Sequence, residues 1–222
     1  MILNYIFSSF IGIFLEEELT QEFYKRFFSL KESYWILFNG IRTVGHMSRS
    51  KRNGELSTEL IEKVMLTVTE INGCEVCSVF HNRVAEKEGI KEEDIQMLFV
   101  TEVEELPQDE APAILFARGY ATSSGKPSEH LWKSLIQSYG ESKAKGILGA
   151  VRTIMMGNSF GIAWGALSNR IKGRPVKGSS LWYEISMLLS FIFFIPVASV
   201  HALLASLFKK PIITFQTQEA AA

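Results

Sequence analysis

The segment EKVMLTVTEINGCEVCSVFH, residues 62–81, holds both cysteines of the chain, Cys74 and Cys77, in a CxxC. His81 follows Cys77 by four residues, and Glu62 stands twelve residues before Cys74. The apolar spacing around these residues is that of a helix, and strand-like alternation is absent throughout the chain, which points to an all-α fold. If the segment is helical from Cys74 onward, at about 100° per residue the two thiols and the imidazole fall within an arc of roughly 60°. Two thiols and a base on one helical face define a candidate site, and the remainder of the chain is organised around it.

At 222 residues the chain has room for one large domain, or one domain with an appendage. Lys and Arg total 23 against 24 Asp and Glu, a net charge of −1 that offers no global attraction for nucleic acid or an anionic surface. A mean hydropathy of +0.11 with 47% hydrophobic residues is high for a soluble domain, and the excess sits at the two ends. Two thiols and one imidazole make three ligands without a closed fourth, so no metal and no cofactor are expected. A CxxC without other cysteines reads as a redox pair, suited to a reducing compartment.

Residues 1–15 (MILNYIFSSFIGIFL) form an apolar segment that stops at Glu16-Glu17-Glu18. It lacks the basic start and small-residue cleavage site of a secretory signal and is short for a bilayer span. Packing on the body of the protein and an interfacial membrane contact are the two readings. Leu19, Phe23, Phe27 and Leu30 recur at helical steps, so residues 16–47 read as helical, and residues 48–54 (SRSKRNG) as a basic loop. Ser57 is placed to cap the helix carrying Glu62, Asn72-Gly73 to break it, and Gly89 to close the next one. Residues 102–110 read as a solvated acidic connector.

Residues 142–169 read as one long helix. Within it Gly157, Gly161 and Gly165 recur every fourth residue. Interior glycines cost about 1 kcal/mol each relative to Ala, and close approach of another backbone is the usual reason for them. After a linker at 174–184, residues 185–208 form a run of 24 without a charged side chain apart from the ionisable His201. Trp182-Tyr183 precede it and Lys209-Lys210 follow it, the flanks of a membrane-anchor helix. Pro196 divides the run, and two short helices buried in an oligomer are the alternative.

The attacking species in thiol chemistry is the thiolate. A helix N-terminus favours the thiolate of Cys74, whereas His81, one turn away, can deprotonate Cys77, so residue chemistry alone names two nucleophiles. Glu62 is the carboxylate placed to orient the imidazole.

Glu62, Asn72-Gly73-Cys74, Cys77 and His81 at these separations resemble the signature of the AhpD-like alkylhydroperoxidase branch of the carboxymuconolactone decarboxylase superfamily. A looser likeness runs from about Phe23 to Gly173 and includes Asn169-Arg170. The resemblance implies an AhpD-like helical domain over residues 16–173, assembled as trimers or hexamers, with the hydrophobic extension and a tail at 209–222 added to it. It implies that Cys77 is the peroxidatic cysteine, Cys74 the resolving one that also exchanges with an external dithiol reductant (a lipoyl- or thioredoxin-like protein), His81 the base and Glu62 a proton relay through it. Decarboxylase members generally lack the cysteine pair. Val76 departs from the pattern, standing where the best-known peroxidases carry a polar residue that assists proton transfer.

The expected function is thiol-dependent hydroperoxide reduction by a cytoplasmic domain held to a membrane through the C-terminal segment. Thiol–disulfide exchange on proteins and a non-catalytic, membrane-tethered redox-sensing assembly are the alternatives.

Overall fold

The computed structural model describes residues 23–100 and 106–216. The apolar segment at 1–15, residues 16–22 of the expected helical stretch, residues 101–105 with the start of the acidic connector, and the last six residues of the tail lie outside the described residues. Among the described residues the regular structure is entirely helical.

The first helix, α1 (Leu30–Ile41), starts at a capping box: the Ser29 hydroxyl accepts the Glu32 N–H at 3.2 Å, and Glu32 accepts the Ser29 N–H at 2.8 Å. Residues 23–29 are therefore not the helix that the spacing of Phe23 and Phe27 predicts. Tyr24 has φ 54° and donates its N–H to the Gly73 carbonyl at 2.7 Å, so this stretch runs against another part of the chain instead of coiling on itself. Phe28 is fully buried there.

The basic run expected as a loop is mostly helix, α2 (Val44–Arg52), and only Asn53 and Gly54 leave it. Tertiary packing overrides the composition. Ser50 is buried on α7 (Glu129–Ile171), where the side-chain-free faces of Gly146 and Gly149 admit α2. A Cβ on Gly149 would stand 2.7 Å from the Thr43 carbonyl oxygen. Arg49, Lys51 and Arg52 occupy the last turn of α2, where cations are favoured by the helix dipole.

The centre of the domain is α3 (Thr58–Asn72), capped by Ser57 and buried on most of its circumference. It is packed by α6 (Ala111–Thr122), by α7 and by α4 (Glu75–Lys87), with α5 (Glu92–Val100) at its side. Val64, Phe116, Leu148 and Ile162 are completely buried between these helices. The long element α7 is interrupted at Gly140, whose φ of 74° and ψ of 164° separate a short leading helix from the long one that carries the glycine series.

The C-terminal helix α8 (Leu181–Leu207) begins at Leu181 behind a Ser180 cap, four residues before the expected start. It passes through Pro196 as one helix and does not split into two. It is long and apolar enough to cross a membrane by length and composition. It lies along α1 and α7, with Met187, Ala198, Ala202 and Ala205 inward and Ile192, Phe193, Val200 and Leu203 outward. His201 is held inside by the Tyr34 hydroxyl at 2.9 Å and by the Phe38 ring.

The earlier start brings Glu184 into α8, fully buried, with both carboxylate oxygens on Arg170 at 2.7 and 2.9 Å and a further hydrogen bond from the Ser179 hydroxyl. Removing the guanidinium leaves the buried Glu184 carboxylate without its cation, which is destabilising. Arg170→Met should lower the midpoint of denaturant unfolding; an unchanged midpoint would show the pair to be a bystander.

Candidate functional site

The site is built at the corner between α3 and α4. Gly73 follows Asn72 at φ 71° and ψ 46°, the left-handed conformation that ends α3. A Cβ there would stand 2.5 Å from the Lys25 nitrogen and 2.8 Å from that of Tyr24, so the position requires glycine for space as well as for φ.

Cys74 comes next in extended conformation, as the N-cap of α4, with its sulfur accepting the Cys77 N–H at 3.3 Å. The expectation that α4 includes Cys74 is corrected by one residue. Cys77 and His81 share a face of α4, while Cys74 folds back onto its first turn. Cys74 and Cys77 are joined as a disulfide with Cα atoms 5.3 Å apart. Cys74 is completely buried and Cys77 is 8% exposed.

From α3, three helical turns before the corner, Glu62 reaches across so that its Oε2 lies 2.6 Å from His81 Nδ1. The side chains are 9% and 13% exposed, so the contact is nearly dry and correspondingly strong. With Nδ1–H donated to the carboxylate, Nε2 is the nitrogen able to take a proton. The Phe80 ring stands edge-on to the imidazole at 5.1 Å and is itself exposed.

The glycine series on α7 acquires a specific meaning here. A Cβ on Gly161 would lie 2.7 Å from both sulfurs, so α7 forms a bare wall behind the disulfide. A Cβ on Gly165 would meet the Tyr24 hydroxyl at 2.6 Å and Val76 at 3.3 Å. Val76, though 40% exposed, thus rests one side on α7. Gly157 is exposed and makes no comparable contact.

Two parts of the surroundings escape a sequence reading. Glu75, inside the CxxC, accepts the Tyr24 hydroxyl at 2.8 Å and the Asn169 amide at 3.1 Å, which ties the α4 N-terminus to the end of α7 and to the strand-like run at Tyr24. Burial and the Glu75 carboxylate push the Tyr24 phenol well above its ordinary pKa, so it remains a donor. The only advance sign was an acidic residue between two cysteines.

Lys63, next to Glu62, is nearly buried between Glu110 at 2.8 Å and Glu59 at 2.8 Å. Burial alone would lower its pKa, but those carboxylates hold it above the ordinary value. Glu110 is therefore a structural counterion and not part of a solvated connector. His130 is exposed and His46 half-buried in α2. Among the described residues no group of three His, Cys, Asp or Glu converges as a metal site.

Residues 38–111 match the family model described as the carboxymuconolactone decarboxylase family. That third of the chain runs from within α1 to the first residue of α6 and contains Glu62, Cys74, Cys77 and His81. No curated protein and no solved structure matches the chain.

Gly161→Ala should push a methyl against the sulfurs at a cost of about 1–3 kcal/mol. Melting temperatures of the oxidised and reduced protein check this, the larger drop being expected in the oxidised form; equal stability to the parent in both would show that the wall yields.

Proposed function

We propose, on the match of residues 38–111 to the carboxymuconolactone decarboxylase family model, that this chain is a thiol-dependent hydroperoxide reductase cycling Cys74 and Cys77 between dithiol and disulfide. The observation that carries the reading is the Glu62–His81 hydrogen bond at 2.6 Å, with His81 one helical turn after Cys77 on α4. A carboxylate-oriented imidazole next to a thiol is what converts a weak nucleophile into a thiolate near neutral pH.

In the reduced enzyme His81 takes the Cys77 proton, and the thiolate attacks the terminal oxygen of a hydroperoxide. The O–O bond breaks, the alkoxide takes up a proton and leaves as the alcohol, and Cys77 becomes a sulfenic acid. Cys74 then attacks that sulfur, water leaves, and the disulfide closes. One hydroperoxide and two thiols give one alcohol, one water and one disulfide, and an external dithiol returns the pair to its reduced state. The neighbouring positions of the two sulfurs make the closing step nearly intramolecular.

Both sulfurs lie beneath the surface, so attack by the dithiol requires the α4 N-terminus to loosen. If it attacks Cys74, the exchanging cysteine, Cys77 leaves as the thiolate, one helical turn from the His81 imidazole on α4. Exposed Val79 and Phe80 beside His81 support a second reading, exchange with a protein disulfide, because they offer a docking partner an apolar rim. Hydroperoxide consumption measured beside reduction of a protein disulfide separates the two.

Cys77→Ser should abolish hydroperoxide turnover with the helical content unchanged. Cys74→Ser should retain one oxidation event per chain and accumulate a sulfenic acid that a dimedone probe traps. Turnover by Cys77→Ser at the parent rate would sink the assignment. Glu62→Gln should lower kcat on the order of 10²-fold, the usual worth of assisted proton transfer, with KM little changed.

The proposal extends to a cytoplasmic catalytic domain, self-associated into a trimer or hexamer and attached to a membrane by the outward face of α8. Ile192 and Phe193, 65% and 68% exposed, support the attachment. Replacing both with Lys should remove co-flotation with lipid vesicles while leaving the melting temperature within a few degrees. Undiminished flotation would argue that another part of the chain makes the contact.

A further inference from the structure

Away from the disulfide, α1, the α6–α7 connection and the described tail enclose a cavity of about 540 Å³, within the range of small-molecule sites. Its charges are unbalanced. Arg26, Lys31, Arg42, Lys126 and Arg152 line it against one carboxylate, Glu32, which is already engaged by Ser29 and Arg26.

Arg152, 3% exposed, gives Nε to the Tyr120 hydroxyl at 2.7 Å and Nη1 to the Ile212 carbonyl at 2.9 Å. Arg42 gives its two terminal nitrogens to the Pro211 and Lys210 carbonyls at 3.0 and 2.6 Å. All four acceptors are neutral. Among the described residues no carboxylate pairs with Arg42, Arg152, Lys31 or Lys126. Burial and the neighbouring Arg152 charge pull the Arg42 pKa down, so the two guanidinium groups feel each other.

Holding the tail explains the carbonyl contacts of the arginines. It does not explain why two guanidinium groups are drawn together where burial makes that costly, or why the exposed Lys31 and Lys126 stand at the rim of the same space. The same lining carries the apolar groups Trp35, Phe38, Met155 and Ile212, with the Arg42 guanidinium 5.4 Å above the Phe38 ring.

We propose that this cavity binds an organic anion whose carboxylate or phosphate head lies on Arg42 and Arg152 and whose apolar body rests on Trp35, Phe38, Met155 and Ile212. A guanidinium fork suits either head group, and two of them suit a delocalised oxyanion better than a point charge would. The site is separate from the thiol chemistry and stands whether or not hydroperoxide is the substrate.

Isothermal titration of the full chain with decanoate, octyl phosphate, inorganic phosphate and octanol tests it. At least one of the two anionic amphiphiles should bind saturably, one per chain, and its identity names the head group. Octanol and inorganic phosphate should bind at least tenfold more weakly, the first lacking the charge and the second the apolar body. Octanol also reports adsorption to the outward face of α8. Arg42→Gln should weaken the amphiphile at least tenfold. Because that change also releases tail contacts, Lys31→Gln combined with Lys126→Gln, which leaves the tail's arginine bonds intact, should independently weaken it several-fold. Absence of binding by both amphiphiles, octanol or inorganic phosphate matching them, or full affinity in the double variant would overturn the proposal.

Discussion

The corner at Gly73 is the constraint on which the remaining architecture depends. It must reverse the chain between α3 and α4 tightly enough for Glu62 to meet His81, and leave Cys74 extended so that its sulfur can fold onto the first turn of α4. Its carbonyl also holds the Tyr24 N–H, and its missing side chain is what lets residues 24 and 25 come so near. Those residues bring the Tyr24 hydroxyl to Glu75, and Asn169 closes the same network from α7. The extended run before α1, the corner and the end of α7 therefore form one interlocked assembly around the disulfide.

Charge placement within this assembly keeps the other ion pairs apart from the Glu62–His81 contact. Lys63 is adjacent in sequence to Glu62 but is occupied by Glu59 and Glu110, which leaves the Glu62 carboxylate to the imidazole. Glu75 is occupied by Tyr24 and Asn169. Low exposure strengthens the Glu62–His81 contact, and the bare Gly161 face keeps α7 from crowding the sulfurs.

Much of this was legible because it depends on local rules. The all-helical architecture follows from periodicity, Ser57 and Gly89 end helices by their backbone chemistry, and Glu62, Cys74, Cys77 and His81 stand at separations with a geometric meaning. The errors arose where a distant contact outweighs a local pattern. Residues 23–29 have helical spacing, yet the corner at Gly73 claims the Tyr24 N–H. The Ser29-x-x-Glu32 pattern was available as a start signal and is what sets the boundary. The basic run is helical because α7 presents glycines to it. Asn169 could be noted as a residue type, but its placement on Glu75 spans 94 positions. The meeting of Arg42 and Arg152 likewise leaves no trace in spacing.

The helix α8 is fastened at both ends. Its start is held by Glu184 on Arg170, and the chain just beyond its end by the carbonyls of Lys210, Pro211 and Ile212 on Arg42 and Arg152. At 27 residues it is about 40 Å long, with His201 pinned to α1 between those fastenings. Standing upright through a bilayer would mean releasing every one of them and baring the buried Glu184 to lipid. So fastened, α8 could meet a bilayer, under the proposed attachment, only along its flank, as a keel lying in the interface beneath the helical domain.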